Sequence, residues 1–156
     1  MRLRLITVGS RQPAWVDAAF ADYLRRFRPP WRVELLELEA APRSAQRGAA
    51  AAIEREGERV LSALRDRERV VLLDERGKAL ATRELADRLS VLAAESPDLA
   101  LLIGGPDGHA PAVRTRAAES WSLSRLTLPH GLARVLLIEQ LYRAQSLAAG
   151  HPYHRE

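Results

Sequence analysis

The 156-residue chain contains no cysteine, and a single lysine, Lys78, stands against 23 arginines. Without thiols there is no disulfide scaffold, no thiolate zinc or iron–sulfur site and no cysteine nucleophile. No apolar run approaches the ~20 residues that span a bilayer. The Arg-flanked start of the chain has neither the long apolar region nor the small-residue cleavage site of a secretory signal. The expected compartment is the cytoplasm, with no membrane partner. Also missing are the G-x-G-x-x-G dinucleotide fingerprint, the G-x-x-x-x-G-K-[ST] phosphate loop and the G-x-S-x-G nucleophile elbow. Dinucleotide, nucleoside triphosphate and α/β-hydrolase chemistry therefore have no support. The four histidines, His109, His130, His151 and His154, do not form a metal-ligand pattern, and metal binding is not expected. No repeat, low-complexity tract or linker divides the chain, so residues 1–156 read as one domain.

What is present is ordinary globular material, 47% hydrophobic and 28% charged, in a chain long enough to bury about 70% of its unfolded surface. The net charge of +4 is compatible with an anionic partner such as RNA. The arginine excess reads either as a supply of bidentate phosphate contacts or as genome composition. Short apolar segments alternate with amphipathic ones. Residues 3–8, 31–35, 70–73, 99–103 and 126–128 read as strands, the third and fourth apolar on both faces. Helices are expected from Pro13 to about Phe27, 49–64, 82–92 with Thr82 as cap, 111–118, and Leu132 to Leu147 with Gly150 as cap. Asp74-Glu75-Arg76-Gly77 should close the third strand. This order predicts an α/β fold, a mostly parallel five- to six-stranded sheet flanked by helices.

In such sheets ligands bind beyond the carboxyl ends of strands, which points to Leu73-Asp74, Ile103-Gly104-Gly105-Pro106 and Leu128-Pro129-His130. Two glycines after a buried strand permit a sharp turn and leave bare amides against which a flat ligand can lie. Residues 40–48 read as a loop with two basic side chains, Arg43 and Arg47. In the last helix, Val135, Leu136, Leu137 and Ile138 occupy more than one face, which requires cover on two sides. The tail, His151-Pro152-Tyr153-His154-Arg155, is either a frayed terminus or a set of base-stacking and phosphate-contacting side chains.

The segments Leu101–Gly108, Trp121–Ser124 with Leu126–His130, Glu139–Ala144 and His151–Arg155, together with Val8-Gly9 and Tyr23–Phe27, carry a specific order and spacing. Over essentially the whole chain they resemble the bacterial large-subunit rRNA pseudouridine N3-methyltransferases, a family of the SPOUT class of knotted methyltransferases. The resemblance implies a carboxy-terminal trefoil knot, S-adenosylmethionine bound in it, and a homodimer that pairs the knot regions. By position it implies a cofactor pocket of Leu73, Ile103, Gly104, Gly105, Ser124, Arg125, Leu126, Thr127, Leu128 and Pro129. The implied substrate is a pseudouridine of large-subunit rRNA on the assembled ribosome.

Methylating a ring nitrogen requires its lone pair, and N3–H is a weak acid, mostly protonated at neutral pH. The expected roles follow from that need: His154 as base, Arg143 and Arg155 as stabilisers of the developing anion or grips on the backbone, and Tyr153 as the ring that stacks on or orients the base. The tail is expected to be mobile until RNA arrives. Competing readings are a SPOUT enzyme acting on another RNA such as tRNA, a non-catalytic RNA-binding module, and a flavodoxin-like binding protein.

Overall fold

The computed structural model describes residues 1–43 and 48–155, with backbone alone for 154 and 155. Five strands form one sheet in the order β2-β1-β4-β3-β5, and every pairing is parallel. They are β1 (Arg2–Val8), β2 (Arg32–Leu38), β3 (Arg69–Ala79), β4 (Asp98–Ile103) and β5 (Glu119–Ser122). Between and after them run α1 (Ala14–Leu24), α2 (Gly48–Ala63), α3 (Thr82–Glu95), α4 (Pro111–Arg116) and α5 (His130–Ala148), followed by a 3₁₀ turn at Pro152–Arg155. Among the described residues no helix is long and apolar enough to cross a membrane.

Strand alternation sorts the side chains into two cores. Leu3, Leu5, Val71, Leu99 and Leu101 point to the face covered by α1, α3 and α5, where Phe20, Leu89, Leu137, Ile138 and Leu141 meet them. Ile6, Val8, Val70, Leu72, Ala100 and Leu102 point to the opposite face, under Val60 of α2 and Val113 of α4. The central strands are covered on both sides, which accounts for their continuous apolar runs. Arg4 shares the second face, and its charge is compensated there by Glu68 at 2.8 Å.

Three local expectations are corrected. Residues 126–128 are not a strand: Ser122 Oγ donates to the Ser124 carbonyl (2.8 Å), the Leu126 amide donates to Ser124 Oγ (2.9 Å), and Leu126 is 75% exposed. These serine bonds turn the chain out of the sheet, overriding the β propensity of Leu-Thr-Leu. The fifth strand instead lies at Glu119–Ser122, paired on one side to β3, with Trp121 buried and its indole N–H donating to Glu119 (2.8 Å). Asp74–Gly77 does not end β3 but bulges from it, since Leu73 and Lys78 both register against Trp121. Finally, Thr82 is the first residue of α3 rather than its cap. The Glu84 carboxylate accepts the Ala81 amide (2.7 Å), and Thr82 Oγ1 donates to Gln140 (2.8 Å). Smaller shifts occur at two other helices: Pro13 precedes α1, which ends at Leu24, and α5 begins at His130.

Candidate active site

All five strands run the same way, so their carboxyl ends share one edge of the sheet. β1 and β4 are neighbours there, but the chain leaves β1 toward α1 on one face and leaves β4 toward α4 on the other. Diverging loops open a crevice at such a switch point. A cleft of about 810 Å³ occupies it, inside the range of cofactor-sized sites. Its walls are Val8, Leu73, Ile103, Leu126 and Leu128, its rim is the main chain of 104–108, and Asp74, Glu75 and Asp107 supply carboxylates. The arrangement suits a planar ring held between aliphatic side chains and read along its edge by main-chain groups, with acids near for hydroxyls or a cation.

Buried polar side chains fix the loops of this cleft. His109 Nε2 lies 3.0 Å from the Leu73 carbonyl, which can only accept, so that nitrogen carries the proton. Burial, helped by Arg114, holds the His109 pKa below its ordinary value. At His130 one ring nitrogen, Nε2, accepts from Arg134 Nε (3.0 Å). A nitrogen that accepts carries no proton, so the imidazole is neutral, and burial with the Arg134 charge lowers its pKa. Arg134, 1% exposed, also binds Glu37 (2.5 Å) and the Gly9 carbonyl, tying α5 to β2 and to the loop after β1. Burial acts to raise the Asp74 pKa, but the Arg76 amide (2.9 Å) and the Arg114 guanidinium (2.6 Å) outweigh it and hold the carboxylate ionised.

Behind the glycine turn, Glu56 is 3% exposed and accepts from the Ala41 amide (2.9 Å) and Arg43 (2.5 Å), while Arg43 also reaches Asp107 (2.9 Å). Arg43, expected as a basic side chain of a loop, is therefore a strut. Arg47 lies outside the described residues. The space beside Gly105 also differs from expectation. A Cβ placed there would meet Glu56 Oε2 at 2.6 Å and Val8 Cγ1 at 3.2 Å. The glycine is needed for this close approach to the buried strut.

Of the residues assigned to the cofactor, Leu73, Ile103, Gly104, Gly105, Ser124, Leu126, Thr127 and Leu128 line the cleft, and Arg125 and Pro129 of the same segment do not. Sequence reasoning did not assign Val8, Gly9, His109 or Arg114. The signal for Val8 and Gly9 was the carboxyl end of β1, whose place beside β4 no local pattern reveals, while His109 and Arg114 follow the glycine turn of β4 into α4.

Arg143 and Tyr153 come together elsewhere. Arg143 donates to Glu139 Oε1 (2.7 and 2.9 Å) and to the Tyr153 carbonyl (3.3 Å), with its guanidinium carbon 4.8 Å from the Tyr153 ring. The Tyr153 hydroxyl donates to Glu139 (3.1 Å), lies 3.1 Å from the Tyr23 hydroxyl, and its ring packs on Tyr142 at 4.8 Å. Burial first, then the bond to Tyr23, pushes the Tyr153 pKa up, so the phenol keeps its proton. This part of the tail is docked on α5. The His154 and Arg155 side chains lie outside the described residues. Ala133, in the cleft, and Arg143 are ten residues apart on α5, which is ~15 Å along the axis. One chain does not bring its tail cluster to its own cleft.

Residues 1–154 match a family described as "Predicted SPOUT methyltransferase". Three similar proteins carry the name ribosomal RNA large subunit methyltransferase H. The one from Methylibium petroleiphilum is 51% identical over 156 residues, all of both chains. Those from Variovorax paradoxus and Ralstonia nicotianae are 49% identical over all of both chains and 48% identical over 99% of both.

Proposed function

Because the chain belongs to the SPOUT methyltransferase family, we propose that it uses S-adenosylmethionine to methylate N3 of a pseudouridine in large-subunit ribosomal RNA, on the assembled ribosome. The relatives' name supports the ribosomal RNA. The observation that carries the reading is the cleft between β1 and β4, with aliphatic walls and a main-chain rim. Leu73, Ile103 and the 124–128 segment would hold the cofactor there, with Gly104 and Gly105 turning the chain beneath it and Arg125 and Pro129 framing the loop. The trefoil threading of this carboxy-terminal part belongs to the same proposal.

Bound S-adenosylmethionine supplies an electrophilic methyl group on a sulfonium. This chain's residues must place N3 in line with it and remove the N3 proton. Each unit between the pKa of that proton and ambient pH costs about 1.36 kcal/mol, so a base or a nearby cation is required. The cleft histidines are engaged with Leu73 and Arg134 and the Asp74 carboxylate with Arg114, and we assign the base to the tail. His154 takes that role, and Arg143, fixed by Glu139, faces the developing anion. Tyr153 stacks on or orients the base.

The ~15 Å between tail and cleft implies a homodimer in which one protomer's tail completes its partner's cleft. Support comes from three of the apolar side chains left exposed: Trp15 at 56%, Leu126 at 75% and Leu132 at 41%. Trp15 and Leu132 neighbour Val16 and Gly131, which approach so closely that a Cβ on Gly131 would lie 2.8 Å from Val16 Cγ2. Exposed apolar side chains on α1, on α5 and in the cleft loop suit a two-fold contact.

The test is methyl transfer from labelled S-adenosylmethionine to ribosomes and to tRNA, with mass spectrometry of the nucleosides, beside calorimetric titration of the cofactor. Labelled N3-methylpseudouridine from ribosomes is expected. Label in tRNA alone, or no cofactor binding, would overturn the proposal.

A further inference from the structure

A second cleft, of about 710 Å³, lies at the opposite end of α5, between its last turns and the segment that joins α1 to β2. Its lining is unlike that of the first. Three guanidiniums, Arg25, Arg26 and Arg28, surround it with one carboxylate, Asp22, and Trp31, Tyr142 and His151 contribute ring surface. Asp22 binds Arg26 at 2.6 Å and Arg25 at 3.4 Å, so one acid faces three permanent cations. The Arg25 side chain is 73% exposed.

The walls are held in place. Gln145 of α5 accepts the Arg28 amide (3.2 Å) and donates to the Arg28 carbonyl (2.6 Å). Phe27, which does not line the cleft, stacks behind the Trp31 indole at 6.4 Å and 24°. Arg26 is steadied over Tyr23 at 4.8 Å. Fixed rings under guanidiniums, in a cleft of nucleotide size, match how unpaired nucleotides are held: the base stacks while the phosphate takes charge-assisted bonds. An acidic peptide would meet the cations but has no use for an indole backed by a second ring.

Position adds a further constraint. Tyr142 lines this cleft and its ring also packs on Tyr153 at 4.8 Å. We propose that the cleft binds an unpaired nucleotide of the RNA substrate that flanks the target in the strand, its base against Trp31 and its phosphate on Arg25 and Arg26. The inference rests on the RNA-methyltransferase reading above and adds to it a site on the same chain that grips the strand beside the tail.

The test uses the full-length protein, a fluorescent uridine-rich 12-nucleotide single-stranded RNA and ribosomes. Arg25→Glu should weaken oligonucleotide binding by about tenfold and flatten the salt dependence by roughly 0.7 per lost phosphate contact. Trp31→Ala should weaken it by about tenfold as stacking is lost, while Trp31→Phe, which keeps a ring, should stay within about threefold. Both charge and ring variants should raise the KM for ribosomes with kcat and S-adenosylmethionine affinity unchanged. Wild-type protein that fails to bind the oligonucleotide, or variants with wild-type affinity and salt slope, would overturn the inference. Loss of self-association in Arg25→Glu with RNA affinity intact would overturn it too, assigning the cleft to a protein contact. If the oligonucleotide binds here but ribosomes are not methylated, the proposed reaction fails and this site stands.

Discussion

Gly105→Ala probes the strut behind the cofactor loop. The backbone at 105 is one that any residue adopts, so the strain is purely steric. The added Cβ would stand 2.6 Å from Glu56 Oε2, well inside ordinary contact, and Glu56 has little freedom to retreat. It is 3% exposed and held by the Ala41 amide at 2.9 Å and Arg43 at 2.5 Å. Displacing the carboxylate strains two charge-assisted bonds, each worth about 1.5–3 kcal/mol when buried. Arg43 is 29% exposed, so its share is discounted for screening. A net loss of roughly 2–3 kcal/mol follows, or about 4–12 °C in Tm for a chain of this size. Thermal denaturation followed by circular dichroism reads it directly. The discriminating measurement is a double-mutant cycle with Glu56→Ala, which removes the obstructing carboxylate. In that background Gly105→Ala should cost much less, since only the Val8 Cγ1 contact at 3.2 Å remains. An equal loss in both backgrounds refutes the steric account.

Five other outcomes are expected. The two cleft histidines have pKa values below the ordinary 6.5, so the unfolded chain binds more protons below that pH. Stability is therefore full above it and declines on acidification, and a Tm that stays level from pH 7.5 to 5.0 contradicts the assignment. Gly77→Ala would set a Cβ 2.5 Å from the Trp121 carbonyl carbon and part β3 from β5. Tm should fall by at least ~5 °C with loss of the Trp121 near-ultraviolet signal, and an unchanged spectrum would exclude the bulge geometry. Deleting residues 151–156 should leave S-adenosylmethionine affinity within about twofold (~0.4 kcal/mol) while methyl transfer falls by orders of magnitude. His154→Ala should lose roughly 10²-fold, partly restored at high pH, and full activity in the truncated chain would return the search to Arg143 and His130. Mixing the truncated chain with Leu128→Arg should restore roughly a quarter of wild-type transfer through heterodimers with one intact site, and no recovery argues against a shared site.

The fold was legible where local pattern and tertiary demand agree. The apolar runs at 70–73 and 99–103 mark strands covered on both faces, and the Gly104-Gly105-Pro106 turn that ends the second of them marks the ligand edge. Legibility failed where neighbours decide. Glu119–Ser122 has little β propensity and becomes a strand because the free edge of β3 offers a ladder and Trp121 fills the core beside it. Leu126–Leu128 has the propensity but is drawn aside by the hydroxyls of Ser122 and Ser124. The same division holds at the site. Leu73 and Gly104 were found from the ends of their own strands. Val8, His109 and Arg114 join them only because β4 inserts between β1 and β3, and the strut at Glu56 reaches the loop from α2, a separation no motif spans.

That insertion also sets the order in which the protein can assemble. β1 and β2 can pair early, but the free side of β1 waits for β4, and the pairing of Arg2 with Asp98 joins residues 96 positions apart. β3, emerging before β4, has no partner among the strands already made, since it pairs only with β4 and β5. A chain stopped before residue 98 therefore holds a two-stranded ribbon and a lone apolar strand, both with open edges that invite pairing with other chains. Loop-closure entropy must be overcome before the central pair contributes anything. Folding should be slow for a protein of this length, and its aggregation hazard should be greatest in the interval between synthesis of β3 and docking of β4.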